Sequence, residues 1–513
     1  MKNINLILWV LLVNLCVLPI NSQNQTLEYP FAEPGTDVSR GVFGDDDRKE
    51  VKDAEGFKDF VRATAVMIPK TAIYNNEFYA WSLRDLLKRQ FGTDKFDDNV
   101  KFLDQPTVGS CTGFLIAPDV LVTAGHCINS MEDANKYVWV FDYTSDSDFV
   151  DGKKLKFKPE NIFEVESIIA SDLTEDNKND YAVLKLKKKS NRAPYRFRTS
   201  GEVLLDGPIN TIGCPTGLPL KFTTNATVVD TSQETWFKSD IDAFPGNSGG
   251  PVFDKNGFIE GILVRTAAEY SFFAGKYTGD YKYDYWCDCV KTVSFQDVED
   301  NPGCASHRIT KIPVNILISS VYENLEYALK NKLDDRFKSW STYKWIFNHN
   351  YSDINGRFEK MALNYNNDYA LGIILEYTAE KLSDDSAREL IDFSINKNDI
   401  ETLKVILDKG IFADAGMSST HTALQNAVIN NNSKLAETLI YYGADVNIKT
   451  KTNDNLLHIA AKNGNKSLVE VLVKKGVDAG AKNKDNKRPE KIAKANVYKD
   501  LAKHLKKARK GKL

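Results

Sequence analysis

The spacing of apolar positions divides the chain into two parts with different periodicities. Before about residue 380, short apolar runs alternate with segments rich in Gly, Pro and Asn; beyond it, apolar residues recur with the period of a helix. Many short strands broken by turn residues predict paired β-barrels. The runs lie at residues 64–68, 137–141, 165–170, 181–186, 208–213, 227–230, 250–253 and 257–264. We therefore expect a multidomain chain, with an all-β double β-barrel followed by an all-α array.

The helical part repeats at a fixed interval. Gly410, Gly443 and Gly476 are each 33 residues apart, and three alanines keep the same spacing. The unit that begins at 455–464 closely resembles the ankyrin repeat. Residues 383–513 are therefore identified as ankyrin repeats, and the last unit becomes basic and polar, as a terminal cap does.

The resemblance implies a function for this part. Ankyrin repeats form an all-α solenoid whose concave surface and loop tips usually bind protein, so an unidentified protein partner is expected. His458 fills the capping position of the repeat and is interpreted as a residue that hydrogen-bonds the turn, not as a base. The interval 331–382 is interpreted as a helical linker or a degenerate repeat.

The first 22 residues have the pattern of a secretory signal peptide. Lys2 precedes an apolar run, and polar residues follow at 21–23. The protein is therefore expected to be secreted or periplasmic. Residues 23–40 form a possible propeptide, with Arg40 as a candidate cleavage site. No later segment approaches the roughly 18 uninterrupted apolar residues of a transmembrane helix, so no membrane span is expected.

Composition limits the class of partner. The 513 residues exceed one ordinary domain, and 42% apolar and 27% charged residues are typical of a globular protein. A net charge of −3 gives no overall attraction to nucleic acid, so a nucleic-acid partner is not expected.

Two short motifs carry candidate chemistry. TAGHC at 123–127 contains His126, and PGNSGGP at 245–251 contains Ser248. A serine hydroxyl is a poor nucleophile without an adjacent base, and an imidazole titrates near neutral pH, so His126 is the candidate base for Ser248.

A carboxylate between the two motifs in the sequence would orient the histidine. Asp180 immediately precedes the apolar run Tyr181–Leu186 and is the candidate. Asp172 and Asp176 lie close by but do not directly precede a strand-like run.

The order His126, Asp180, Ser248 is that of the chymotrypsin clan. Residues 41–330 resemble that clan, and the segments GVFGDDDRKEV and GFLIAPDVLVTAGHC resemble its glutamyl-endopeptidase-like bacterial branch. The resemblance implies a serine endopeptidase that cleaves protein or peptide substrates through an acyl-enzyme and needs no cofactor. It also implies that the N–H groups of Gly246 and Ser248 form the oxyanion hole.

The specificity pocket departs from that branch. Its glutamate-specific members use a threonine and a histidine where this chain has Ala243 and Leu263, neither of which can hydrogen-bond a carboxylate. A mainly apolar pocket is therefore expected. Asp242 stands where trypsin-like enzymes carry the acid that binds Arg or Lys, and we interpret it either as that acid or as a structural residue.

Six cysteines follow the leader: Cys111, Cys127, Cys214, Cys287, Cys289 and Cys304. An even number in an exported chain indicates disulfides. By resemblance, Cys111 pairs with Cys127 around His126. Cys287 and Cys289 are expected to be too close to pair with each other, so Cys214 would join one of them. No paired C-x-x-C is present, and no metal site is expected.

An aromatic insert follows the last predicted strand. Its residues are Tyr270, Phe272, Phe273, Tyr277, Tyr281, Tyr283, Tyr285 and Trp286. The insert either borders the substrate cleft or forms a disulfide-stapled loop that packs on itself, and the second interpretation is favoured.

These features support three hypotheses. The first is an exported serine endopeptidase whose ankyrin repeats bind a substrate or a regulator. The second is a catalytically silent protease fold that acts as a protein-binding scaffold. The third is an enzyme whose ankyrin array covers the cleft and inhibits it.

Overall fold

The computed structural model describes residues 46–53, 61–75, 77–174, 179–265, 281–293, 303–347, 358–415 and 421–512. The predicted leader, the possible propeptide with Arg40, Asp176 and the first four aromatic residues of the insert lie outside these ranges.

The strands, in chain order, are β1 (Lys49–Glu50), β2 (Thr64–Pro69), β3 (Ile73–Tyr74), β4 (Glu77–Tyr79), β5 (Trp81–Ser82), β6 (Pro106–Thr107), β7 (Cys111–Ala117), β8 (Val120–Thr123), β9 (Tyr137–Phe141), β10 (Asp148–Val150), β11 (Lys154–Lys156), β12 (Ile162–Phe163), β13 (Val165–Thr174), β14 (Asn179–Leu186), β15 (Pro208–Gly213), β16 (Lys221–Asp230), β17 (Trp236–Ser239), β18 (Pro251–Asp254), β19 (Ile259–Arg265), β20 (Tyr281–Asp284), β21 (Cys289–Thr292) and β22 (Cys304–Arg308). All eight runs predicted as strands overlap strands of this set.

Two seven-stranded antiparallel sheets form the β-rich half. The first has the order β12-β9-β2-β7-β8-β14-β13, and the second has the order β1-β16-β15-β18-β19-β22-β17. Strand β14 of the first sheet lies against β19 and β22 of the second. The two sheets therefore meet along β14, the strand that carries Asp180.

The core explains why these runs form strands. Every residue of β7 is buried, because apolar side chains cover both of its faces. Trp139, Phe114 and Phe141 are fully buried in the first sheet. Burial of such side chains stabilises the sheet by about 25 cal/mol per Å² of apolar surface.

The helices are α1 (Leu83–Phe91), α2 (Met131–Ala134), α3 (Val314–Lys330), α4 (Asp334–Trp340), α5 (Phe358–Asn364), α6 (Asp368–Thr378), α7 (Asp384–Lys397), α8 (Ile400–Asp408), α9 (Ala423–Ile429), α10 (Ser433–Tyr441), α11 (Leu456–Asn463), α12 (Lys466–Lys474), α13 (Pro489–Ala495) and α14 (Lys499–Arg509). None of the helices in the described ranges is both long and apolar enough to cross a membrane.

Consecutive helices from α5 to α14 form pairs joined by the same kind of turn. Each turn contains a left-handed residue, with φ of 50° at Asn366, 55° at Asn398, 57° at Asn431, 70° at Gly464 and 69° at Val497. In the first four pairs, the next residue caps the second helix through its side chain: Asn367, Asp399, Asn432 and Asn465. The pair α5–α6, within the interval 331–382, thus has the turn geometry of the pairs that follow it.

The helical half is bonded directly to the sheets. The Tyr343 hydroxyl donates to Phe197 O at 2.7 Å and accepts from Phe197 N–H at 2.8 Å. Arg336 donates to Arg192 O at 3.1 Å. One apolar cluster runs from the first sheet through α3 to the last helix, so the junction is a packed interface.

The expected disulfide between Cys111 and Cys127 is confirmed, but the pairing expected for the other cysteines is wrong. Cys287 pairs with Cys289, and Cys214 and Cys304 are buried thiols outside any disulfide of the described residues. The turn between β20 and β21 reverses the chain and holds the Cα atoms of Cys287 and Cys289 at 5.2 Å, which is within the range of a disulfide.

Candidate active site

Strand pairing brings His126 and Asp180 together. β14 pairs with β8 in a register that places Ala182 opposite Thr123, so the residue at the start of β14 lies beside the turn that follows β8. Asp180 Oδ1 accepts the backbone N–H of His126 at 3.0 Å, and Oδ2 lies 2.8 Å from His126 Nδ1. This pairing assigns the Nδ1–H tautomer and leaves the Nε2 lone pair free to accept a proton.

The two partners differ in exposure, as the chemistry requires. The Asp180 side chain is 3% exposed and the His126 side chain is 38% exposed. The carboxylate is therefore shielded from water while the imidazole reaches the cleft. Asp172, the described alternative, accepts a hydrogen bond from Asn179 Nδ2 at 2.7 Å.

The turn that holds Ser248 depends on two glycines. Gly246 has φ +101° and Gly249 has φ +85°, both in the region that favours glycine. A Cβ on Gly246 would lie 2.3 Å from Cys214 O, and one on Gly249 would lie 2.1 Å from Thr112 O. The sharp turn therefore packs tightly against the first sheet.

The backbone of this turn directs two N–H groups away from the protein interior. Pro245 O accepts from Thr216 N–H at 2.6 Å, and Asn247 O accepts from Gly250 N–H at 2.8 Å. In a trans peptide the N–H points opposite to the preceding carbonyl, so Gly246 N–H and Ser248 N–H point outward. Within the described residues neither N–H has an acceptor, so both remain available to an oxyanion.

Further contacts fix the Ser248 turn beside the histidine segment. Ser248 O accepts from Thr112 N–H at 2.8 Å and lies 3.7 Å from Cys127 Sγ. Gly249 N–H donates to Leu263 O at 2.7 Å. The serine turn is thus tied to both sheets, next to the residue that follows His126.

Comparison with known families agrees with this geometry. Residues 111–262 match the trypsin-like peptidase domain, and residues 427–511 match ankyrin repeats (3 copies). The chain carries a trypsin-like peptidase domain followed by ankyrin repeats. No curated protein matches it.

In the trypsin-like domain, Thr112 and Cys214 hold the turn that carries Gly246 and Ser248, and the sequence did not indicate this role. Thr112 Oγ1 donates to Gly246 O at 2.8 Å, and the Cys214 thiol donates to the same oxygen at 3.1 Å. Burial raises the pKa of Cys214 to about 12, so the thiol keeps its proton. The bonding partners are more than 30 residues apart, which leaves no local signal in the sequence.

The candidate pocket residues of the trypsin-like domain have different surroundings. Ala243 and Leu263 belong to one apolar cluster with residues such as Val228. Asp242 is 1% exposed, and its Oδ2 accepts the backbone N–H of Asp47 at 3.1 Å. Asp242 therefore holds the segment that leads into β1.

A buried histidine, His307, lies close to Asp180. His307 of β22 is 0% exposed, and its Nε2 lies 3.3 Å from Asn179 Oδ1. Burial lowers the pKa of His307 to about 4, so it is neutral at pH 7 and donates from Nε2. Because Asn179 directly precedes Asp180, the contact with His307 helps to hold the backbone at Asp180 in place.

Two groups of residues place potential metal ligands together: Cys111, His126 and Cys127, and Asp97, Cys287 and Cys289. Each group contains two cysteines joined in a disulfide, so neither offers the thiolates that bind zinc.

Proposed function

We propose that this protein is a serine endopeptidase that uses His126, Asp180 and Ser248. The main observation that supports this proposal is the double contact of Asp180, with His126 Nδ1 at 2.8 Å and with the His126 backbone N–H at 3.0 Å. That contact is the arrangement in which a carboxylate orients an imidazole and stabilises its protonated form. The match to a trypsin-like peptidase domain supports the assignment.

The proposed mechanism is peptide-bond cleavage through an acyl-enzyme. His126 Nε2 takes the proton of Ser248 Oγ as the oxygen attacks the carbonyl carbon of the scissile peptide bond. The N–H groups of Gly246 and Ser248 stabilise the oxyanion of the tetrahedral intermediate. His126 then donates the proton to the leaving amine, and water hydrolyses the acyl-enzyme with His126 again acting as base.

The proposed specificity is for an apolar residue before the scissile bond. Ala243 and Leu263 are apolar and belong to one cluster. Asp242 already accepts a backbone N–H from Asp47, which supports its interpretation as a structural residue. A lysine or arginine would have to share the buried carboxylate with that N–H.

The remaining parts of the proposal concern location and partner. The leader at 1–22 supports export to the periplasm or the medium, and removal of residues 23–40 would precede activity. The ankyrin repeats are proposed to bind a protein, either a substrate or a regulator, as such arrays do.

A fluorophosphonate probe tests the proposal, because it labels only an activated serine. We expect the processed protein to be labelled, and the Ser248→Ala and His126→Ala variants to remain unlabelled. Peptide cleavage should be lost in the same two variants. A folded, processed protein that resists the probe and cleaves no peptide would instead favour the scaffold hypothesis.

A further inference from the structure

The hairpin β20–β21 carries two aromatic side chains that no core receives. Trp286 is 99% exposed and Tyr285 is 83% exposed, whereas Tyr281, at the base of the same hairpin, is 2% exposed. The inner half of the hairpin therefore packs, and its tip extends into solvent. The interpretation of the insert as a loop that packs on itself is wrong for Tyr285 and Trp286, which we call the aromatic tip.

The backbone of the aromatic tip is held in a fixed conformation. The Cys287–Cys289 disulfide closes the turn directly after Trp286. Trp286 N–H donates to Asp284 Oδ1 at 2.7 Å, and the Tyr285 ring lies edge-on to Tyr283 at 5.0 Å. A turn whose backbone is ordered before binding loses less conformational entropy on binding, so this tip is suited to contact a ligand.

The hairpin is also hydrogen-bonded to the segment that follows α1. Val290 N–H donates to Lys95 O, and Asp97 N–H donates to Val290 O, both at 2.9 Å. The two segments share a small apolar cluster of Leu83, Leu87, Val100, Leu218, Tyr281 and Val290. The aromatic tip therefore stands on a packed base.

That base adjoins the catalytic serine turn. The Tyr281 ring lies 6.4 Å from the ring of Phe244, which is two residues before Gly246. Four strand residues at about 3.3 Å each place the aromatic tip roughly 13 Å from Tyr281. A peptide of a few residues in the cleft has no need to reach the tip, whereas a longer unfolded chain passes it.

The two acidic side chains of the hairpin nearest the tip, Asp284 and Asp288, are paired with lysines. Lys95 lies 2.5 Å from Asp288, and Lys291 lies 3.1 Å from Asp284. The exposed contact surface is therefore apolar and has little net charge, which favours an apolar ligand. Aromatic side chains of this kind dominate the binding energy of many protein interfaces.

We infer that the aromatic tip, Tyr285 and Trp286, is an exosite that binds apolar segments of unfolded protein substrates beside the cleft. The inference rests on the proposed peptidase function, because the occupant is the substrate chain itself. We choose the substrate chain as the occupant because Tyr281, at the base of the hairpin, lies close to Phe244, which precedes the Ser248 turn.

The test compares two substrates in one enzyme: β-casein, an unfolded protein, and a short fluorogenic peptide that fills only the cleft. We expect Trp286→Ala and the double variant Tyr285→Ala/Trp286→Ala to lower the ratio of kcat/KM for β-casein to that for the peptide by about tenfold. Trp286→Phe should restore most of the ratio. Tyr74→Ala removes an aromatic side chain that is 67% exposed elsewhere in the domain and should leave the ratio at the wild-type value.

A ratio that is unchanged in both tip variants would overturn the inference. Binding of labelled β-casein to Ser248→Ala, followed by fluorescence anisotropy, separates it from the peptidase proposal, because this binding needs no turnover. If wild type cleaves neither substrate, but Trp286→Ala abolishes casein binding to Ser248→Ala, the exosite stands and the peptidase proposal fails. Trp286-dependent sedimentation with phosphatidylglycerol vesicles, together with an unchanged ratio, would assign the tip to membranes.

Discussion

Asn324 donates its side-chain amide to Ile116 O at 2.7 Å, and this bond joins helix α3 to the end of strand β7. His126, the proposed base, follows the far end of β8, after the chain has turned at residues 118–119. Helix α3 is therefore attached near the turn between β7 and β8, which is the end of this hairpin remote from His126. This placement favours a binding role for the ankyrin repeats over coverage of the cleft.

Replacement of Asn324 should weaken this junction. Asn324 is fully buried and accepts from Arg336 Nη2 at 3.1 Å, so Asn324→Ala removes the donor to Ile116 O and the acceptor of Arg336 Nη2. We expect the free energy of unfolding to fall by about 1–3 kcal/mol in urea titrations. The matched control is Asn331→Ala, which removes an exposed amide bonded to Tyr327 O and should cost less than about 1 kcal/mol. Equal losses in the two variants would contradict this role for Asn324.

The serine turn should not tolerate a side chain at Gly249. A Cβ there would lie 2.1 Å from Thr112 O and 2.2 Å from Thr123 Oγ1, so Gly249→Ala must shift the turn that carries Ser248. A displacement of about 1 Å costs on the order of a hundredfold, and we expect kcat/KM for a peptide to fall at least that far.

Gly152→Ala is the control for this prediction, because Gly152 also has positive φ, +62°, but nothing lies within 4 Å of the added Cβ. It should cost about 1 kcal/mol of stability and leave kcat/KM unchanged. Normal activity in Gly249→Ala would show that the turn adapts and that tight packing is not required.

Asp242 should not determine cleavage after basic residues. Its carboxylate accepts Asp47 N–H at 3.1 Å, and asparagine offers the same acceptor without the charge. We therefore expect Asp242→Asn to keep the wild-type preference for apolar residues before the scissile bond, with kcat/KM changed by less than about threefold. Mass spectrometry of the products from a mixed peptide library measures this preference. A wild-type preference for lysine or arginine that disappears in Asp242→Asn would sink the interpretation.

The parts predicted from the sequence are those with local signals. The short apolar runs became strands that are buried along most of their length, such as β2 and β15, and the 33-residue interval marked the helix pairs through left-handed glycines such as Gly443. The pair α5–α6 was harder to recognise, because Tyr377 stands 33 residues before Gly410, where the repeat would place a glycine.

The features that were missed depend on contacts between distant segments or on a particular turn. Thr112 meets Gly246 across 134 residues, and no local pattern encodes that contact. The Cys287–Cys289 bond depends on the backbone at Asp288, whose φ of 51° reverses the chain between the two cysteines. Whether an aromatic residue of the insert packs or protrudes, as Trp286 does, depends on where the segment that follows α1 lies.

The buried His307 should give the domain a pH-dependent stability. Its folded pKa is lowered to about 4 by burial, although Asp180 and Asp172 oppose the shift and Lys311 adds to it. The unfolded side chain titrates near 6.5, so between about pH 6.5 and 4 the unfolded state binds a proton that the folded state does not. The contribution is fully present above pH 6.5 and is lost as the pH falls towards 4.

The expected loss from this group is roughly 3 kcal/mol over that range. His307→Gln removes the titrating group but keeps an amide that can donate to Asn179 Oδ1. Urea unfolding at pH 7.5 and 4.5, in the Ser248→Ala background to prevent autolysis, should show a smaller decline with acid in the His307→Gln variant. Other titrating groups are common to both proteins, so their effects cancel in the difference. Parallel declines would mean that His307 is protonated in the folded state at pH 4.5.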